Sequence, residues 1–133
     1  MGFITNAGAL GLQDGSINWA ADTIKARMIE TSESVDQDTV FMTGIGAGSD
    51  VTLGTKTGPT KDDSTNRVAY GCANPTFAAV SGAERDRMGV FQSNTNDADS
   101  VLIVVVDIDP QEHVTQTDVT VTLADGVLFY SQQ

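Results

Sequence analysis

Ile24-Lys25-Ala26-Arg27-Met28 alternates apolar and charged side chains at every step. An extended chain therefore puts Ile24, Ala26 and Met28 on one face and Lys25 and Arg27 on the other, the pattern of a half-buried β-strand. Just upstream, Ala21-Asp22-Thr23 separates this strand from Ser16 to Trp19. Trp19 is the only Trp of the chain, and its ring can anchor a core while the indole N–H seeks an acceptor. The two pieces are expected to form a tight strand-turn-strand unit.

The same reading extends in both directions. Residues 6–13 hold Ala7, Ala9, Leu10 and Leu12 and predict a short helix capped by Thr5 or Asn6, weakened by Gly8 and Gly11. Residues 31–50 are rich in Ser, Asp, Thr and Gly around one apolar foot, Val40-Phe41-Met42. They predict a long acidic loop with a single helical turn begun at Asp36 or Asp38, and loops of such length are usually functional or pinned by a partner. Strands are expected at 51–57, at 67–73 and at 87–92, with Cys72 as a small core-facing hydrophobe. The run Val101-Leu102-Ile103-Val104-Val105-Val106 has no polar side, so it predicts a strand covered on both faces, ended by Asp107-Ile108-Asp109-Pro110. Val119, Val121 and Leu123 alternate with Asp118, Thr120 and Thr122, and Ala124-Asp125-Gly126 then leads to Val127-Leu128-Phe129-Tyr130. That is the strongest hairpin signal in the chain.

About seven or eight strands and at most one or two short helical turns make the class all-β, a sandwich or barrel. No period repeats and no linker divides the chain, so residues 1–133 are expected to form a single β domain, with 1–13 as an N-terminal arm or short helix. Val, Ile, Leu and Phe supply 32 of the 133 residues, enough to place the chain above the range of disordered sequences.

Charge restricts the partners. Eighteen acids, 14 of them Asp, stand against seven bases, for a net charge of −11. Affinity for nucleic acid comes largely from Lys and Arg displacing counterions, so no nucleic-acid partner is expected. The longest apolar run is too short to cross a bilayer and there is no polybasic patch, so no membrane partner is expected either.

Catalytic patterns are missing. The chain has one His, His113, and one Cys, and lacks a nucleophile elbow or a phosphate loop followed by Lys. Gly44-Ile45-Gly46-Ala47-Gly48 has no such Lys and reads as a flexible or closely packed loop. Asn94-Thr95-Asn96-Asp97-Ala98-Asp99 and Asp107-Ile108-Asp109 offer oxygen atoms of the kind calcium takes, but without the Gly and distal Glu of a calcium loop they read first as solvated turns. No enzyme activity, cofactor or metal is expected.

The order of segments resembles the small capsid decoration, or cement, proteins of tailed-phage virions. The matching residues are Asn6-Ala7-Gly8-Ala9-Leu10, Ile17-Asn18-Trp19 with Asp22-Thr23-Ile24-Lys25-Ala26, and Asp36-Gln37-Asp38-Thr39-Val40-Phe41. Asn66-Arg67-Val68-Ala69-Tyr70, Asn74-Pro75-Thr76-Phe77 and Asp125-Gly126-Val127-Leu128 continue the series across most of the chain. Gly71-Cys72-Ala73-Asn74 departs from the usual Asp-rich approach to the Pro-Thr-aromatic break, as does the early end of the strand at Glu30.

The resemblance implies a non-enzymatic protein made in the host cytoplasm and carried on the outer surface of the virion capsid. There it would bridge subunits of the major capsid protein and associate with itself as a homo-oligomer, a dimer or trimer. Apolar residues at chain ends and in the loop are the candidate contacts: Phe3 and Ile4, Phe41 and Met42, Phe129 and Tyr130. Lys25 and Arg27 join them if they face outward. The alternatives are another virion part (a tail, head-completion or fibre-base subunit) and a calcium-dependent carbohydrate-binding β-sandwich using Asp97, Asp99, Asp107 or Asp109.

Overall fold

The computed structural model describes residues 2–46, 50–78, 84–112 and 118–132. Three antiparallel sheets carry the chain, and the fold is all-β and sandwich-like, as expected. The largest sheet runs β1 (Phe3–Ile4), β8 (Val101–Glu112), β7 (Arg85–Gln92), β2 (Ile24–Glu30) and β3 (Val51–Thr52). A second runs β10 (Val127–Gln132), β5 (Arg67–Gly71) and β4 (Thr57–Asp62), and a third pairs β6 (Thr76–Phe77) with β9 (Val119–Thr120). Ten strands stand among the described residues against the expected seven or eight: β1 and β6 are two residues long, too short to show a period of two, and β4 runs through Gly58-Pro59 and Lys61-Asp62, whose composition reads as a turn.

One face of the large sheet gives Ile24, Ala26, Met28, Met88, Val90 and Val104 to a core shared with Trp19, Tyr70, Phe77, Val119 and Phe129 from the smaller sheets and their connections. Trp19 anchors it, 2% exposed, with its Nε1 donating to the Thr57 carbonyl at 3.1 Å. Its ring stands edge-on to Tyr70 and Phe129, whose own rings stack with centroids 4.7 Å apart. The residues around Trp19 form no strand, however. Asn18 and Asp22 close a turn through Asp22 N to Asn18 O at 2.8 Å and Asn18 N to Asp22 Oδ2 at 2.8 Å. Local side chain-backbone bonds of Asn and Asp win over strand pairing there.

The opposite face of the large sheet buries Ile29, Phe91, Leu102 and Val105 beneath Met42 and Ile45. Residues 31–46 therefore serve as the second cover that the apolar run of β8 requires. They form no helical turn: the Asp36 carboxylate accepts from Asp38 N and Thr39 Oγ1, folding the backbone into a side chain-capped turn.

Helix α1 (Asn6–Asp14) begins at Thr5, whose Oγ1 accepts from Gly8 N at 2.9 Å, and ends on Gly15 at φ +83°. Gly8 is needed rather than merely tolerated. A Cβ there would stand 2.5 Å from the Ile103 carbonyl oxygen and 2.6 Å from its Cα, so the helix lies directly on the β8 backbone.

Two further expectations fail. β8 continues through Pro110 to Glu112; between its Asp107 and Glu112 pairings with Arg87 and Arg85 the ladder loses register, and an irregular edge is where a strand tolerates Pro. The closing hairpin is absent, although its turn forms, with Asp125 at φ +55° and Gly126 at φ +71°. β9 pairs with β6, Val121 N donates to the Pro75 carbonyl and Leu123 N to Asn74 Oδ1, while β10 pairs with β5. The turn is a corner between sheets.

Candidate functional site

The residues marked as contacts separate into two groups. Met42 is 0% exposed and Phe129 7%, so both are core and neither presents a surface. Arg27, 5% exposed, is turned inward. Its Nε and Nη2 donate to the two oxygens of Asp50 at 2.7 and 2.9 Å, and Nη1 and Nη2 to the two oxygens of Asp97 at 3.1 and 3.0 Å. Nη1 also reaches the Ile45 carbonyl at 3.0 Å, and the guanidinium lies 5.4 Å from the Phe91 ring centroid. The Asp50 hydrogen bond, more than any other contact, raises the Arg27 pKa further, and the Arg27 hydrogen bond holds Asp97 below the usual carboxylate range.

Phe41, Tyr130, Phe3, Ile4 and Lys25 remain available. Phe41 is 45% exposed, at a single antiparallel bridge to Val101, beside exposed Val40. Lys25 is half-buried in β2, opposite Thr52 on one side and Phe91 on the other. Phe3 and Ile4 are half-buried in β1 and line an open groove of about 560 Å³ that continues past Val106 to Leu128 and Tyr130. Arg67 stands on the rim with its guanidinium 3.7 Å from the Tyr130 ring centroid. The structure thus brings together Phe3, Ile4 and Tyr130, which are distant in sequence, and leaves Phe41 and Lys25 apart from that groove.

Sequence reasoning missed Arg67, Val40 and Leu10, the last 62% exposed on α1. For Arg67 a signal existed. Val68 and Tyr70 alternate with Arg67 and Ala69, and an Arg at the start of a strand beside a turn is placed to cover an aromatic on the neighbouring strand.

Few of the seven bases are left to neutralise the surface. Arg87 donates to the Glu30 and Glu33 carbonyls and to Asp86, Lys56 donates to the Asp22 carbonyl, and Arg85 is 7% exposed. With Arg27 also inside, the outward cations among these residues reduce to Lys61, which pairs with Asp63 in full solvent, and the partly exposed Lys25, Lys56 and Arg67. Asp14, Asp36, Asp38, Asp63, Asp99, Asp107, Asp118 and Asp125 are exposed.

The oxygen-rich turn at 94–99 is closed on itself, by Asn94 Nδ2 to Asp99 O at 2.7 Å and Asp99 N to Asn96 Oδ1 at 3.2 Å. Asp97 is taken by Arg27, and among the described residues no group of three or more His, Cys, Asp and Glu side chains is placed to hold a metal ion. Cys72 is buried, and that burial pushes its thiol up to about 11, so its reactive thiolate is scarce at neutral pH. His113 lies outside the described residues. No family model, curated protein or solved structure matches this chain.

Proposed function

We propose that the chain is a non-enzymatic capsid decoration protein of a tailed phage, binding the outer face of the major capsid protein lattice as a homo-oligomer and stabilising the head. The observation that carries this reading is the arrangement of charge: Arg27, Arg85 and Arg87 are largely covered and Lys61 pairs with Asp63, whereas none of the described acids is buried and Asp14, Asp36, Asp38, Asp99 and Asp125 are fully at the surface. Such a surface is repelled by packaged DNA and suited to the far side of the shell. The ordered series of segments that resembles the decoration proteins supports the same reading. A protein of this kind acts by mass action, stabilising only the assembled state that it binds.

Copy number in purified particles tests it. A shell-decorating protein should be present at the same order of abundance as the major capsid protein. A count far below that would overturn the reading in favour of a tail, head-completion or fibre-base subunit. Phe41→Ser provides the contact test: exposure predicts little change in folding stability, below about 0.5 kcal/mol, with reduced occupancy on heads. Unchanged occupancy would remove the loop foot from the contact.

A further inference from the structure

Gly follows an Asp or Asn at two places in the chain, Asp14-Gly15 and Asp125-Gly126. Such pairs can rearrange without an enzyme, because glycine has no side chain to hinder the approach of its nitrogen to the preceding side-chain carboxyl carbon. The fold treats the two pairs differently.

Asp14 is the last residue of α1, so its backbone is held helical, and Gly15 follows at φ +83°. Ring closure there would need the last turn of the helix to come apart. Asp14 Oδ1 also accepts from Ser16 N at 2.8 Å, and the bonds from Ser16 hold this carboxyl below the usual carboxylate range. Attack takes place on the neutral acid, so Asp14 is seldom in the reactive form. Asp125 differs on each count. It is exposed between exposed Ala124 and Gly126, in the left-handed conformation at φ +55° and ψ +23°. Among the described residues its carboxylate has no hydrogen-bond partner. A Cβ on Gly126 would meet nothing within 4 Å, so the space around the attacking nitrogen is open. Its backbone is held by a single turn, closed by Val127 N to Ala124 O and by Gly126 N to Leu123 O at 3.3 Å, long for such a bond.

We propose that Asp125-Gly126 is a site of spontaneous aspartyl isomerisation in the folded protein, and that Asp14-Gly15 is not. The Gly126 nitrogen attacks the Asp125 side-chain carboxyl carbon. A C–N bond forms, and the amide proton and the carboxyl hydroxyl leave as water, giving a five-membered succinimide within the main chain. Water then adds to one of the two imide carbonyls and its C–N bond breaks. Opening at the side-chain carbonyl restores Asp125; opening at the main-chain carbonyl leaves the chain running through the side-chain methylene, as isoaspartate. One water leaves and one returns, and nothing is oxidised or reduced.

The consequence falls on the corner between sheets. Gly126 O accepts from Cys72 N at 3.3 Å, and it lies so close to Gly71 that a Cβ there would stand 2.3 Å from it. Val127, the next residue, opens β10 opposite Gly71 of β5. An extra methylene in the main chain just before this carbonyl lengthens the corner and loosens the start of β10, because a contact this close has no slack to absorb it.

Prolonged incubation of the full chain in mildly acidic buffer tests the proposal, read by a carboxyl methyltransferase specific for isoaspartate and by peptide mapping. Tryptic peptides 1–25 and 88–133 separate the two pairs. Isoaspartate should accumulate in 88–133 several-fold faster than in 1–25. In urea the two peptides should accumulate it at closely similar rates, because the fold makes the difference. Asp125→Glu, whose imide ring would need six members, should leave 88–133 free of isoaspartate, with a thermal melt to report its folding. The isomerised fraction of the unaltered protein, separated by ion exchange, should melt below the fresh protein.

Folded protein that stays free of isoaspartate in 88–133, equal or faster accumulation in 1–25, or accumulation indifferent to Asp125→Glu would overturn the proposal. A several-fold difference that persists in urea would overturn the part given to the fold. An unchanged midpoint in the isomerised fraction would overturn the effect on the corner.

Discussion

Arg27 uses all five of its N–H donors, four on two carboxylates and one on a carbonyl. The alternation around it assigns Arg27 to the solvent side of β2, and that assignment is right about the face and wrong about the solvent. What covers the face is the chain of residues 31–46, whose approach depends on contacts far apart in sequence. A Lys would keep the charge but lose the planar fork that serves Asp50 and Asp97 together. Urea unfolding should therefore show Arg27→Lys destabilised by about 1.5–3 kcal/mol, the range for hydrogen bonds to charged groups. Arg27→Ala should lose about 3 kcal/mol, since it strands two partly covered carboxylates. The pH dependence follows from Asp97. Its folded pKa lies below the unfolded value, so its contribution is complete above the ordinary Asp range of about 4 and drains away as pH falls through the folded pKa. The stability of either variant, measured by urea unfolding in acid, should fall less steeply with decreasing pH than that of the unaltered protein.

Among the elements, α1 and the apolar runs were readable from local pattern, and the pairing of strands was not. The helix was expected with Thr5 or Asn6 as cap, and Thr5 is the cap. Its glycines count against it on propensity alone, yet Gly8 allows the helix to touch β8 backbone to backbone. Ala is the better helix former by about 1 kcal/mol, but its methyl would collide with the backbone of Ile103, which has no flexible end to move aside. Gly8→Ala should consequently lower the thermal midpoint rather than raise it, and an equal or higher midpoint would show that the helix can lift without cost. The closing hairpin illustrates the other outcome. Ala124-Asp125-Gly126 has turn chemistry and makes a turn, but a turn reports the direction of the chain and not the sheet it enters next. Phe129 stacks on Tyr70, and Asn74 holds Leu123, so the two strands part. Of the candidate contacts, exposure at Phe41 and Tyr130 could be suspected from their places near a loop foot and a chain end. The burial of Met42 and Phe129 one residue away follows from the alternation of extended chain, once the neighbours that fill each side are known.

For the whole molecule, sequence composition already described the acidity, and the fold adds its distribution. A net charge is one number, whereas the fold shows where it lies: Arg27 and Arg85 turn inward, Arg27 onto Asp50 and Asp97, while acids such as Asp14, Asp36, Asp63 and Asp125 stay exposed. The Arg27 guanidinium has one more effect, on motion. Asp50, Ile45 and Asp97 belong to two connections that are 47 positions apart at their acids, and both close onto the same cation. Between them run the bonds from Met42 N to Ser100 O and from Leu102 N to Val40 O. Opening either connection exposes the charge that the other still needs, so the two should unfold as one cooperative unit. Native-state hydrogen exchange should give the amides of Met42 and Leu102 a common opening free energy, well below that of the β2–β7–β8 centre, and Arg27→Lys should lower both together. The cation thus sets the rhythm at which this side of the molecule opens.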